Sequence, residues 1–108
     1  MDETYEVVLT NDARKDLKSI IDYLMEKESW STAVKVRLAL LREIETLSKM
    51  PSANGIIPEI SDENLTYRKR LKWNYRIIFM IEETEKLVFV VAIDSTKQNP
   101  QKLLDALK

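Results

Sequence analysis

Residues 66–79 read TYRKRLKWNYRIIF. Five cations, Arg68, Lys69, Arg70, Lys72 and Arg76, stand there without one acid, in a chain whose 17 Lys+Arg are balanced by 18 Asp+Glu. TYRKRL and YRIIFMIE read as strands, with KWN a tight turn between them. Strands joined so closely pair antiparallel. KLVFVVAID follows after the hairpin loop EETEK and adds a further strand. The C-terminal half is therefore expected to be a sheet, with a block of positive charge on one of its strands.

Working back towards the N-terminus, TYEVVLT (4–10) is a first strand. Thr10, Asn11 or Asp12 can cap a helix there by offering a side-chain oxygen to unpaired N–H groups. Ala13, Leu17, Ile20, Ile21 and Leu24 then recur at helical spacing, which predicts an amphipathic helix ending near Glu28. Ser29 or Ser31 caps a second helix, from about Thr32 to Met50, burying Ala33, Leu40 or Leu41, Ile44 and Leu47. Pro51 ends it, because the residue before a proline is pushed out of the helical region. Helices separated by so few residues pack as an antiparallel hairpin, with Trp30 expected as a plug between them. Trp73, in the later turn, is expected to pack on a neighbour, and Met25, Met50 and Met80 to fill gaps. PSANGIIPEISDENL (51–65) holds two of the three prolines and the only glycine, so it is a loop. NPQKLLDALK closes the chain as a short helix capped by Asn99, with Pro100 in its first turn. The order β-α-α-β-β-β-α predicts a single α+β domain over residues 1–108: two layers, an antiparallel sheet covered on one face by the helical hairpin.

Composition narrows the chemistry. A chain of 108 residues, 44% hydrophobic and 32% charged, suits one globular core. The formal net charge of -1 argues against a protein that coats nucleic acid along its whole surface. There is no Cys and no His, which removes thiolate nucleophiles, serine–histidine hydrolysis and most zinc sites. No metal and no cofactor are expected. The N-terminus lacks the apolar core of a signal peptide, and no apolar stretch approaches the ~18 residues of a membrane span. A soluble cytoplasmic chain without membrane contact is the expectation.

Alternation along the strands raises a packing problem. In YRIIFMIE, Tyr75, Ile77, Phe79 and Ile81 share one side, and Arg76, Ile78 and Met80 the other. In KLVFVVAID, Leu87, Phe89, Val91 and Ile93 oppose Val88, Val90 and Ala92. Both faces are apolar, and the hairpin covers one. The other needs either the C-terminal helix or a partner, and Ile78, Met80, Val88 and Val90 are the candidate contact patch. The basic strand also has two readings. Arg68, Arg70 and Lys72 share a face of TYRKRL, with Arg76 on the next strand. They form surface ion pairs with Glu59, Asp62 and Glu63, or they bind an anion such as an RNA phosphate through planar guanidinium forks. A ribonuclease would further need a base, for which Glu59 is the nearest candidate.

With these features in place, the chain resembles the RelE/ParE superfamily of bacterial toxins from type II toxin–antitoxin systems. The residues that carry the resemblance are Ala13 and Leu17 in the first helix, Leu47 and Pro51 closing the second, and YRIIF in the central strand. It runs from Tyr5 to about Leu104. It implies a toxin of plasmid-stabilisation type neutralised by a small cognate antitoxin wrapping the apolar patch, as a toxin dimer or a heterotetramer. Two targets follow from it. The ParE-like reading is inhibition of DNA gyrase; under either reading Lys72 and Lys97 are candidate nucleic-acid or target contacts. The RelE-like reading is metal-independent cleavage of ribosome-bound mRNA, with Arg68, Arg70, Arg76 and Glu59 as catalytic residues. AIDSTKQNP departs from the RelE-like pattern, having Asp94, Thr96 and Gln98 where those enzymes carry Arg, Tyr or His. That departure favours the ParE-like side. A third reading is a degenerate member that only binds its antitoxin.

Overall fold

Four strands form one sheet in the order β1-β4-β3-β2, with β1 Glu6–Leu9, β2 Arg68–Lys72, β3 Tyr75–Glu82 and β4 Leu87–Ser95. These assignments come from a computed structural model, which describes residues 4–95. The expected C-terminal helix and Lys97 lie outside the described residues. Helices α1 (Asn11–Lys27) and α2 (Trp30–Thr46) form a hairpin on one face of the sheet. β2, β3 and β4 pair antiparallel, as the short turns dictate, but β1 pairs parallel with β4. The sheet is therefore mixed, which corrects the expectation of a wholly antiparallel one. The two-helix crossover gives the reason. It carries the chain away from β1 and back across the sheet, so β1 is free to run alongside β4 without a tight turn.

Both helices start where a hydroxyl can cap them. Thr10 accepts a hydrogen bond from the Ala13 N–H, and Ser29 accepts one from the Thr32 N–H. α1 lays Ala13 and Leu24 into the core, with Leu17, Ile20 and Ile21 at its margin. α2 contributes Ala33, Val36, Leu40 and Ile44. It ends earlier than Met50: Thr46 Oγ1 donates back to the Glu43 carbonyl, and Ser48 O accepts the Tyr5 N–H, tying the chain to the start of β1. Met50 then takes a left-handed φ of 47°, and Pro51 opens a short 3-10 turn, Pro51–Ala53. Trp30 is 68% exposed and plugs nothing; the hairpin closes instead on small and aliphatic residues.

The decisive irregularity lies in β4. Ile78 pairs with Ala92, but Phe79 pairs with Val90, so Val91 is an extra residue, a β-bulge. Alternation restarts there. Val88 and Val90 share the helix face with Ile77, Phe79 and Ile93, all fully or almost fully buried. The expectation that Val88 and Val90 lie with Ile78 on an uncovered face is overturned, and neither offers surface to a partner. Ile78 and Ala92 face the other way, and there the loop covers them. Ile57, just before the 3-10 turn Pro58–Ile60, and Ile60, its last residue, pack with Tyr67 into a second small core. Backbone and side-chain bonds pin this lid: Ile57 N–H donates to Tyr67 O at 2.8 Å, Lys69 N–H to Gly55 O at 3.0 Å, and Tyr67 N–H to Ser61 Oγ at 2.9 Å. Of the patch expected to bind a partner, Ile78 is closed off and only Met80 keeps partial exposure.

If the loop is a structural lid, Ile57→Ala lowers the unfolding free energy by about 2–4 kcal/mol, as for a core truncation. A loop resting on the surface would lose within about 0.5 kcal/mol. Urea denaturation followed by circular dichroism separates the two.

Candidate functional site

The register of β2 against β3 divides the cations. Arg68, Arg70 and Lys72 stand opposite Phe79, Ile77 and Tyr75, so they share the helix side of the sheet. Leu71 stands opposite Arg76, which shares the loop side with Ile78. The guanidinium of Arg76 and those of Arg68 and Arg70 are thus on opposite faces.

Each arginine is already engaged. Arg68 Nη1 donates to the carbonyls of Asn54 at 2.7 Å and Ser52 at 3.1 Å, holding the start of the loop against the sheet edge. Arg70 Nε donates to Glu43 Oε2 at 2.9 Å, joining β2 to α2. Lys72 Nζ lies 4.0 Å from Glu43 Oε1 and 4.9 Å from the centre of the Trp73 ring. Arg76 forms a forked pair with Asp94, Nε to Oδ1 at 3.0 Å and Nη2 to Oδ2 at 2.8 Å. Arg76 and Asp94 are each 8% exposed, so this pair is sequestered from solvent. The hydrogen bond to Asp94 raises the Arg76 pKa above its ordinary value; burial opposes this, and the charges of Asp94 and Glu59 add to it.

Glu59, the candidate base, sits exposed on the loop. Its charge reaches Arg76, but it forms no hydrogen bond or ion pair with any described residue. Cleavage of RNA at one phosphate needs base and cations converging on one point. Here Glu59 and Arg76 lie on one side of the sheet, and Arg68 and Arg70 on the other. Among the described residues no cluster of three or more acidic side chains suits a metal ion.

Several partners were not singled out from sequence. Asp94 was legible: an acid in a buried strand opposite an arginine on the neighbouring one is a cross-strand pair. Glu43 was not, because its contact with Arg70 spans helix and sheet. Nor was Asp16. β1 ends opposite Val90, and beyond it the Ile93 N–H of β4 donates to Asp16 Oδ2 at 3.0 Å, so a helix side chain takes over from a strand. Asp16 lines a cleft of about 470 Å3 together with Tyr23, Asn74 and Tyr75. Burial raises the Asp16 pKa above its ordinary value, against the lowering effect of the Ile93 hydrogen bond. Burial likewise raises the Tyr75 phenol.

Two helices packed on a four-stranded mixed sheet make a fold shared with chains of known toxin–antitoxin systems. The chromosomal ParDE toxin–antitoxin system from P. aeruginosa includes a chain that superposes with a TM-score of 0.69 at 16% identity, covering 86% of this chain and 97% of that one. A chain of the RelBE2 toxin–antitoxin complex from Mycobacterium tuberculosis superposes with a TM-score of 0.64 at 19% identity, covering 85% and 91%. No curated protein sequence matches. Residues 7–100 match the family described as ParE toxin of type II toxin-antitoxin system, parDE. The chain belongs to this ParE toxin family.

Two outcomes follow from these contacts. Asp94→Ala strands a buried guanidinium and costs about 3–5 kcal/mol in stability. Adding Arg76→Ala to it costs less than the two single losses together, as a double-mutant cycle in urea reads directly. Asp16 has a folded pKa above its unfolded one. The stability this contributes is therefore fully present below the ordinary value of 3.8 and is lost as pH rises through the raised value. Asp16→Asn removes that component while keeping an acceptor for Ile93. The variant's stability relative to the native chain is then highest at neutral pH and declines towards acid, measured as urea midpoints across the acidic range.

Proposed function

We propose that this chain arrests growth by inhibiting DNA gyrase and is held inactive by a cognate antitoxin, without ribonuclease activity of its own. One observation carries the choice of target: the three arginines a ribonuclease would need are committed to internal partners and divided between two sheet faces. Membership of the ParE family points the same way. Arginines that hold a loop, a helix and a neighbouring strand account for the basic stretch without an RNA ligand.

An antitoxin partner is supported by the relatives, whose structures come from toxin–antitoxin systems. On the loop side of the sheet, Met80 stands with the exposed Ile56 and Leu65 around a shallow cavity of about 290 Å3. This patch replaces the broader one expected from strand alternation as the candidate antitoxin contact.

The ribonuclease reading keeps one observation in its favour, the closeness of Glu59 to Arg76 in charge. Pulse-labelling after controlled induction of the chain alone separates the readings. DNA synthesis is expected to stop before protein synthesis, and Glu59→Ala is expected to leave arrest intact. Protein synthesis stopping first, with mRNA cut on ribosomes and Glu59→Ala inactive, would instead establish the RelE-like activity. If neither synthesis stops, the chain is an antitoxin-binding protein without toxicity.

A further inference from the structure

Asparagine followed by glycine occurs once in the chain, at Asn54–Gly55; the other four asparagines precede Asp, Leu, Tyr and Pro. The pair sits where the loop begins to run along the edge of β2, with Ile56 paired to Arg68. Asn54 is half-buried and Gly55 exposed. No backbone need explains the glycine. Its φ is not positive, and a Cβ built on it would meet nothing within 4 Å. What the missing Cβ does leave open is the approach of the Gly55 nitrogen to the Asn54 side chain.

The fold restrains that approach. Asn54 Nδ2 donates to the Pro51 carbonyl at 3.1 Å, and Oδ1 stands 3.5 Å from Arg70 Nη1. The Asn54 carbonyl accepts Arg68 Nη1 at 2.7 Å, and the next carbonyl, of Gly55, accepts the Lys69 N–H at 3.0 Å. Attack of the Gly55 nitrogen on Asn54 Cγ closes a five-membered ring, which needs that nitrogen and Cβ nearly eclipsed about the Cα–C bond. Asn54 is instead extended, with φ -86° and ψ 148°, so the two stand well apart. Turning the peptide plane into line carries the Asn54 carbonyl away from Arg68. The arginine that ties the loop to the sheet edge therefore also holds this pair out of reactive geometry.

We propose that Asn54 is a deamidation site gated by the loop, and that its isoaspartate product unlatches the lid from β2. When the loop lifts, the Gly55 nitrogen gives its proton to water or hydroxide and bonds to Asn54 Cγ. The bond from Cγ to Nδ2 breaks, and that nitrogen takes up a proton and leaves as ammonia. Water then opens the cyclic imide at one carbonyl or the other, giving aspartate or isoaspartate at position 54. Nothing is oxidised or reduced. Either product sets a carboxylate beside Arg70, in competition with Glu43. Isoaspartate also routes the main chain through the former side chain and so adds one backbone atom. The Gly55 carbonyl and the Ile57 N–H then lose register with Lys69 and Tyr67, their partners on the sheet side. Neither toxicity nor the gyrase target is assumed.

The test incubates the purified full-length chain at mildly alkaline pH and follows each asparagine by peptide mass spectrometry. Asn54 is expected to convert ahead of the other four. Gly55→Ala is expected to keep the fold, by circular dichroism, and to suppress the conversion. Arg68→Ala is expected to speed it at least about tenfold, as for loss of one hydrogen bond to a charged group. Where that variant does not fold, the native chain in urea below its unfolding transition serves instead, and its rate is expected to rise with urea. In the isoaspartate form, separated by ion exchange, the Ile57 and Lys69 amides are expected to lose protection from hydrogen exchange. The proposal is overturned if Asn54 stays unmodified in every folded form or another asparagine converts first. It is equally overturned if Gly55→Ala converts at the native rate, if neither Arg68→Ala nor urea speeds conversion, or if Ile57 and Lys69 stay protected in the isoaspartate form.

Discussion

One extra residue in the central strand, Val91, governs what the rest of the structure can do. β4 is hydrogen-bonded on both sides, so the direction of each of its side chains decides which layer that side chain joins. Without the bulge, Val88, Val90, Ala92 and Asp94 would share one face, and Asp94 would be driven into the apolar core beneath the helices. An unpaired carboxylate there would be prohibitively costly. With the bulge, Val88 and Val90 stay under the helices, Ile93 joins them, and Asp94 turns to the loop side opposite Arg76. A local backbone irregularity thus reconciles an apolar core with a buried ion pair in the same strand.

The loop depends on the same arrangement. Once Ile78 and Ala92 face away from the helices, they require cover, and Ile57 and Ile60 supply it. The lid needs an anchor, and Arg68 provides one by binding the carbonyls of Ser52 and Asn54. Arg70, next on the same face, reaches Glu43 and fixes the edge of the sheet to α2. Arg68 and Arg70, two of the cations that stand out in the primary sequence, are therefore tethers joining loop, helix and sheet. Their alternation places them well for this: one strand face presents them to both elements at once.

Within the ParE family, this gives a chain whose candidate interaction surfaces lie at the periphery and not in a central catalytic cluster. The sheet interior is committed to stability. Open surfaces among the described residues include a groove along α2, the end of β2, and the patch around Met80. Each combines apolar side chains left in solvent with an edge or a rim of charge, a composition suited to protein contacts.

The primary sequence by itself determined the elements and their order. Hydrophobic period, capping hydroxyls at Thr10 and Ser29, Pro51 and the short turns are local signals, and they act through interactions within a few residues of chain. It also located the hairpin's buried stripe and the family resemblance, since both rest on spacing. Tertiary structure alone decided the rest. A bulge leaves no local mark in KLVFVVAID, so strict alternation put Val88 and Val90 on the wrong face. The parallel pairing of β1 with β4 depends on where the two-helix crossover returns, and the loop's role as a lid depends on a sheet face that does not exist until β3 and β4 are paired. The arginines looked like a site because charge is visible residue by residue. Their partners, Glu43, Asn54 and Asp94, lie 14 to 27 residues away along the chain and meet them only when helix, loop and sheet are assembled.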